Sequence, residues 1–249
     1  MDLELSGKRA IVTGGSRGIG KAIARALAQE GADVVIGARD PERLQAAAAE
    51  LAADTGRRIV PVEVDTGDDA SVRRLVATAV EELGGVDILV NNAATPGSVA
   101  APGPVTELRD EDVLADLNVK VLGYLRTARA VAPLLIDQGW GRIVNISGLA
   151  ARNAGRITGS IRNVSVSALT KNLADELGPH GVNVTVVHPG VTRTERTGRV
   201  VPERGSTIGR LVEAHEVAWV VAFLASPRSV AITGDAIAAG GGVPGAIHY

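Results

Sequence analysis

The sequence predicts an α/β protein, a single domain built on a doubly wound parallel sheet of seven strands with helices on both faces. Two observations predict it. Short β-branched runs alternate with longer Ala- and Leu-rich stretches of helical period along the chain, the pattern of repeated strand–helix–strand units. Strand candidates such as Val34-Val35-Ile36 and Ile143-Val144 are continuous apolar runs, as strands covered on both faces must be.

Taken in order, strands are expected at Ala10–Thr13, Val34–Ala38, Ile59–Glu63, Ile88–Asn91, Ile143–Ile146, Asn183–His188 and Ala236–Ala238. Between them, helical periodicity covers Gly18–Glu30, Pro41–Thr55, Asp68–Leu83, Asp110–Gln138, Gly159–Leu177 and Glu213–Ala225. Pro41 opens the second of these, where its fixed φ suits a first turn. No internal repeat or long linker interrupts the pattern. The stretch from Val191 to Arg210 has little helical period, carries Arg193, Arg196, Arg199, Arg204 and Arg210, and follows the C-terminal end of a strand. Ligands of doubly wound folds bind at that edge, so a mobile substrate loop is expected there; its arginines suggest an anionic small-molecule substrate, with solvated loop residues the plainer alternative.

With 249 residues, 45% of them hydrophobic, the chain can bury one sizeable core. Basic and acidic residues number 26 and 28 and are intermixed, so neither nucleic acid nor a membrane surface is an expected partner. The absence of cysteine excludes disulfides and thiolate metal sites, and the four histidines lie far apart, so no metal is expected. Met1–Lys8 is short and polar and no apolar run approaches the ~18 residues of a spanning helix. A cytoplasmic protein is expected.

Directly after the first strand, Thr13-Gly14-Gly15-Ser16-Arg17-Gly18-Ile19-Gly20 leads into a helix. Glycines make such a turn tight and let backbone N–H groups approach a pyrophosphate at the helix's positive end. Gly14, Ser16, Arg17, Gly18, Ile19 and Gly20 are therefore candidate dinucleotide contacts. The spacing Gly-x-x-x-Gly-x-Gly differs from the common Gly-x-Gly-x-x-Gly fingerprint and resembles that of the short-chain dehydrogenases/reductases. Further landmarks of that family follow in order: Asp65 after the third strand, Asn91-Asn92-Ala93-Ala94 after the fourth, Asn118 in the long helix, and Pro189-Gly190-Val191-Thr192 after the sixth.

The resemblance spans essentially the whole chain and implies a Rossmann-type fold, NAD(P)-dependent oxidoreductase chemistry, and a homo-oligomer, dimer or tetramer. The helices Asp110–Gln138 and Gly159–Leu177 would make the interface. It also implies Asp65 as the adenine contact, Asn91 and Ala93 as backbone lining beside the ribose, and Thr192 at the carboxamide, with Thr66, Pro189 and Gly190 in the same contact set. An NAD enzyme typically carries an acid at the end of the second strand, whereas here Arg39 follows Ala38. A guanidinium forks onto phosphate, and Arg17 offers a second positive charge, so NADP is favoured over NAD. A solvated Arg39 opening a loop is the plainer alternative.

The resemblance further implies a serine after the fifth strand and a Tyr-x-x-x-Lys pair, the tyrosine exchanging the substrate proton and the lysine holding the ribose and lowering the tyrosine's pKa. Here the pattern breaks. Counting back from Leu169-Thr170-Lys171, the tyrosine position falls on Gly159 and the lysine position on Asn163, and no tyrosine occurs between Tyr124 and Tyr249. The Gly141-Arg142-Ile143-Val144-Asn145-Ile146 anchor puts the serine position on Gly148, with Ser147 one residue early. Candidate catalytic residues are Asn118, Ser147, Ser160, Arg162 and Asn163, the last three expected to face the nicotinamide. None is an obvious acid at neutral pH.

Arg162 suits an oxyanion or a carboxylate better than it suits proton donation, and an exposed helix arginine fits equally. His188, before the Pro-Gly turn, reads as a structural histidine or a proton relay. Tyr124 reads as a core or interface residue, and Tyr249 as a tail able to reach a neighbouring subunit. A positioned acid is worth ~10²–10⁴-fold in rate, so two functions stay open. One is NADPH-linked hydride transfer to a small carbonyl, imine or activated alkene by an atypical mechanism. The other is a cofactor-binding non-redox protein: a pseudoenzyme, a sensor or a cyclase-like catalyst.

Overall fold

The computed structural model describes residues 1–95, 104–195, 197 and 206–244. Its strands, in chain order, are β1 (Arg9–Thr13), β2 (Asp33–Ala38), β3 (Ile59–Glu63), β4 (Ile88–Asn91), β5 (Gly141–Ile146), β6 (Val182–Pro189), the short β7 (Thr192–Arg193) and β8 (Val212–Glu213), and β9 (Ala236–Ala239). Seven form one parallel sheet in the order β3-β2-β1-β4-β5-β6-β9. This is the doubly wound, Rossmann-type single domain that the sequence predicts. After β3 the chain returns to the other side of β1, and this reversal opens a crevice beyond the C-terminal ends of β1 and β4.

The helices are α1 (Gly18–Gln29), α2 (Pro41–Thr55), α3 (Asp69–Leu83), α4 (Asp110–Asp116), α5 (Gly123–Asp137), α6 (Ile157–Leu177) and α7 (Ala214–Ala225). They explain the continuous apolar strands. Val34 and Ile36 turn to one face, where they join Ile23 and Leu27 of α1, Leu44 and Leu51 of α2 and Val217 and Val221 of α7. Val35, between them, turns to the other face and packs with Leu75 of α3, Leu135 of α5 and Leu173 of α6. Each strand side chain thus has a helix to meet on either side.

Helix ends follow local chemistry. Asp40 accepts from the Arg43 N–H at 3.0 Å to start α2, and Asp68 accepts from Ala70 and Ser71 to start α3. Glu213 and Glu216 form a reciprocal capping box at α7. Asp68 and Glu213, expected inside their helices, are therefore caps.

The largest departure from expectation is the helix expected over Asp110–Gln138. A π-helical turn, Leu117–Leu122, divides it into α4 and α5. Such a turn admits an extra residue and redirects the side chains it carries. It is braced by Arg126, whose guanidinium donates to the Asn118 carbonyl at 3.1 Å, the Asn118 side chain at 2.8 Å and the Thr66 carbonyl at 3.1 Å. Periodicity alone cannot show this, because both halves keep a helical pattern.

Among the described residues, no helix is long and apolar enough to cross a membrane, and no group of three or more potential metal ligands occurs. Arg196, Arg199, Arg204 and Tyr249 lie outside the described residues.

Candidate active site

The C-terminal ends of the central strands open into one cleft of about 950 Å³. Its first end is built on the β1–α1 turn. Buried Thr13 closes β1, and its Oγ1 accepts from the N–H groups of Asn92 (3.0 Å) and Ala93 (3.1 Å). The Asn92 amide donates in turn to the carbonyls of Thr13 and Gly14, each at 3.2 Å. The glycine turn is thereby tied to the end of β4. Gly14 lies at φ +69°, and a Cβ there would stand 2.8 Å from the Asn92 amide nitrogen; a Cβ on Gly20 would overlap the Gly14 carbonyl. Glycine is required at both places by space, and at Gly14 by conformation as well.

Helix α1 starts without a side-chain cap and without an acidic residue in its first turn, so its N-terminal N–H groups offer a ready anion site. In this structure the Glu195 carboxylate accepts from the Gly18 N–H at 3.1 Å. A carboxylate oxygen thus stands where a pyrophosphate oxygen would be held, and the turn fits that group. Arg17, Arg39 and Arg43 line the same end. Arg43 pairs with Asp40 at 3.3 Å, whereas Arg17 and Arg39 have no ion pair among the described residues.

Of the residues expected to contact a dinucleotide, Gly14, Ser16, Arg17, Gly18, Ile19, Arg39, Asp65, Thr66, Ala93, Pro189 and Gly190 line the cleft. Gly20, Asn91 and Thr192 are not among its lining residues, and each has a structural task. Gly20 lets α1 pack under the turn. Asn91 is fully buried, donates to Asn145 Oδ1 at 3.0 Å and accepts from Thr127 at 2.6 Å, while Asn145 donates to Thr170 at 2.9 Å. That chain of neutral hydrogen bonds joins α5, β4, β5 and α6 beneath the cleft. The Thr192 hydroxyl donates to the Gly190 carbonyl at 3.1 Å and braces the turn after β6.

At the other end, Ser147, directly after β5, and Arg162 and Asn163 of α6 line the cleft. The Ser147 hydroxyl donates to the Asn163 carbonyl at 3.0 Å and lies 3.2 Å from Asn163 Oδ1. Arg162 is only 14% exposed, pairs with Asp116 of α4 at 3.1 Å and donates to the Thr95 carbonyl at 3.3 Å. The exposed-arginine reading of Arg162 is thereby corrected. Two other candidates lie off the cleft lining. Asn118 is held by Arg126 and sits 3.5 Å from the Gly67 carbonyl, and Ser160, nearer the start of α6, is turned toward the Asn153 carbonyl at 3.3 Å.

Sequence reasoning missed Lys120. It is 4% exposed, lines the cleft, and donates from Nζ to Asn163 Oδ1 at 2.8 Å and to the Ser147 carbonyl at 3.0 Å. Burial first, and the positive charge of Arg162 second, push its pKa down to about 7 against the opposing pull of Asp116. The available signal was a single lysine within Leu117-Asn118-Val119-Lys120-Val121-Leu122.

His188 is buried and is not among the cleft-lining residues. Burial, with Arg152 and Lys120 nearby, lowers it to about 4, so it stays neutral. Tyr124 is buried in the core and donates to the Ile146 carbonyl at 2.8 Å. In the loop after β6, Arg193 pairs with Glu213 at 2.9 Å and Arg210 with Glu216 at 2.6 Å.

A family model described as short chain dehydrogenase matches residues 8–205. The chain belongs to the short-chain dehydrogenase/reductase family. It is 36% identical over 249 residues to the short-chain reductase protein NovJ of Streptomyces niveus, covering 94% of this chain and 93% of that one. The L-sorbose reductase of Gluconobacter frateurii, solved with NADPH and L-sorbose, superposes with a TM-score of 0.91 at 28% identity, covering 99% of this chain and 100% of that one. A short-chain dehydrogenase of Burkholderia cenocepacia solved with NADP gives 0.85 at 37% identity, covering 96% and 98%.

The amine that touches Asn163 arrives from the π-helical turn rather than from α6.

Proposed function

We propose that this chain is an NADP-linked oxidoreductase that reduces a small carbonyl, imine or activated alkene through an active site of atypical composition. The observation that carries the reading is the charge at the first end of the cleft: Arg17 and Arg39, without ion pairs among the described residues, beside a helix start already holding a carboxylate. A 2′-phosphate is the group that two such guanidinium forks match.

When bound, a reduced nicotinamide supplies the hydride. The chain's own residues do the rest. Arg17 and Arg39 hold the 2′-phosphate, and the N–H groups of Gly18 and Ile19 take the pyrophosphate once Glu195 has moved. Asp65 and Thr66 border the adenine, Ala93 borders a ribose, and Pro189-Gly190, braced by Thr192, borders the carboxamide. Ser147, Arg162 and Asn163 surround the place left for the reacting group. Asn118 acts at one remove, as part of the braced π-helical turn. The segment near 191–210 serves as the substrate loop. Leu122, Ile161 and Val164 are exposed apolar residues on adjoining helices, which supports a homo-oligomer formed through that side.

The test is spectrophotometric. Purified protein is mixed with NADPH, and separately with NADH, and absorbance of the reduced nicotinamide is followed across carbonyl, imine and activated-alkene panels. Oxidation of NADPH with at least one class, faster than that of NADH, is expected. Tight NADPH binding with no turnover on any panel would overturn the reading in favour of a non-redox, cofactor-binding protein, the outcome that glycine at positions 148 and 159 would then explain.

A further inference from the structure

Among the described residues, the reactive end of the cleft has no tyrosine, and most of its polar groups cannot replace one. The Ser147 hydroxyl is committed to Asn163. Arg162 is committed to Asp116 and the Thr95 carbonyl, and a guanidinium does not release a proton near neutrality. The Asn163 amide is far too weak an acid to give up a proton near neutrality. One ionisable group remains among these lining residues, the amine of Lys120.

Its geometry is that of a held donor. The π-helical turn directs the side chain inward, and the amine is fixed by two neutral acceptors, Asn163 Oδ1 and the Ser147 carbonyl, at 2.8 and 3.0 Å. An ammonium carries three N–H bonds, so two hold it in place and a third is left for a reacting atom. A carboxylate in direct contact would tie up that third bond and hold the amine charged, and Asp116, the acid nearby, is engaged with Arg162.

We propose that Lys120 is the proton donor of this active site, taking the place of the missing tyrosine. This rests on the reductase reading above. As the hydride forms the new C–H bond of a carbonyl substrate, an N–H bond of Lys120 breaks and its proton forms the O–H bond of the alcohol. The reduced cofactor is oxidised, the carbonyl is reduced, and the neutral amine regains its proton from water. For an imine or an activated alkene the proton goes to nitrogen or to carbon instead.

The surroundings suit the role. Charged and titratable groups facing the amine are Arg162 on α6 and Asp116 on α4, together with His188 on β6 and Tyr124 on α5, which stay neutral around pH 7. A pKa of about 7 leaves the ammonium well populated at neutral pH and still a competent acid.

The experiment compares wild type with Lys120→Met, Lys120→Gln and Lys120→Arg, and adds a readout independent of turnover: the side-chain NMR shifts of Lys120 in the cofactor-free protein, followed from about pH 5 to about pH 11. The chain has only four lysines, Lys8, Lys21, Lys120 and Lys171, so assignment by difference is direct. NADPH affinity and circular dichroism establish that each variant is folded.

The expected results are an amine titrating near pH 7, a wild-type reduction rate that falls as pH rises through that value, and a loss of about 10²–10⁴-fold in Lys120→Met and Lys120→Gln. Lys120→Arg recovers little of that loss. An amine that stays charged above about pH 9 overturns the acid role, as does a Lys120→Met or Lys120→Arg enzyme matching wild type. Those results leave the reductase reading standing. A wild-type protein that reduces nothing overturns that reading, and the acid role with it, whatever the amine's titration shows.

Discussion

The two ends of the cleft are built by different means. At the dinucleotide end, binding is carried largely by backbone: a tight glycine turn, tied to the end of β4 by the Asn92 clamp, and an uncapped helix start. At the reactive end, everything depends on single side-chain atoms, and β5 and α6 carry no tyrosine. Backbone recognition needs the right residues adjacent in sequence, so it is difficult to move. A lone proton donor needs only an atom in the right place, which a lysine on another helix can supply from 43 residues away.

Substitutions at each end should separate the two. Gly20→Val should have the largest effect: its side chain would collide with the Gly14 carbonyl, costing about 1–3 kcal/mol of stability by overpacking and abolishing NADPH binding in calorimetry. Next, Arg39→Ala should weaken NADPH by roughly 10–100-fold, the value of a charge-assisted hydrogen bond of about 1.5–3 kcal/mol, with NADH affinity unchanged. An equal loss for both nucleotides would erase the NADP assignment.

At the reactive end, Lys120→Met removes a buried cation and should raise stability by about 1–3 kcal/mol, or roughly 2–4 °C of Tm for each kcal/mol. The sign with pH follows from linkage. The folded-state pKa is lowered to about 7 from 10.5, so the unfolded chain binds more protons between those values and wild-type stability rises with pH across them. The advantage of Lys120→Met in thermal melts should therefore be greatest at and below about pH 7 and fade toward 10.5. The smallest effect is expected from Glu195→Gln, which removes the charge resting on the α1 start. It should tighten NADPH by about 2–5-fold at low salt, matching about 0.3–1 kcal/mol for a charge near a helix terminus, and the gain should shrink as salt is added.

What the sequence made legible follows the same division. Each expected strand is present, because both-face burial writes a continuous apolar run, and the glycine turn is readable because strand, turn and helix are contiguous. Arg43 and Asn92 were missed as cleft residues because nothing in their immediate neighbours marks the direction of their side chains. Asn118 lies off the cleft lining, and Lys120 lies on it, for one reason: the π-helical turn is stabilised by Arg126, a tertiary contact that leaves helical periodicity intact. A two-residue spacing from Asn118 to Lys120 indicates opposite sides of a regular helix and says nothing of a bulge. The hydrogen-bonded chain through Asn91 and Asn145 was likewise hidden, since two asparagines at adjacent strand ends pair only once the sheet order is known.

The account rests on the dinucleotide end being competent. Titration calorimetry of the wild-type protein with NADPH and with NADH tests this most directly. The account predicts micromolar binding of NADPH, with NADH at least about tenfold weaker, as one lost phosphate–guanidinium contact requires. Equal affinity for the two, or no binding of either at millimolar concentration, would contradict it.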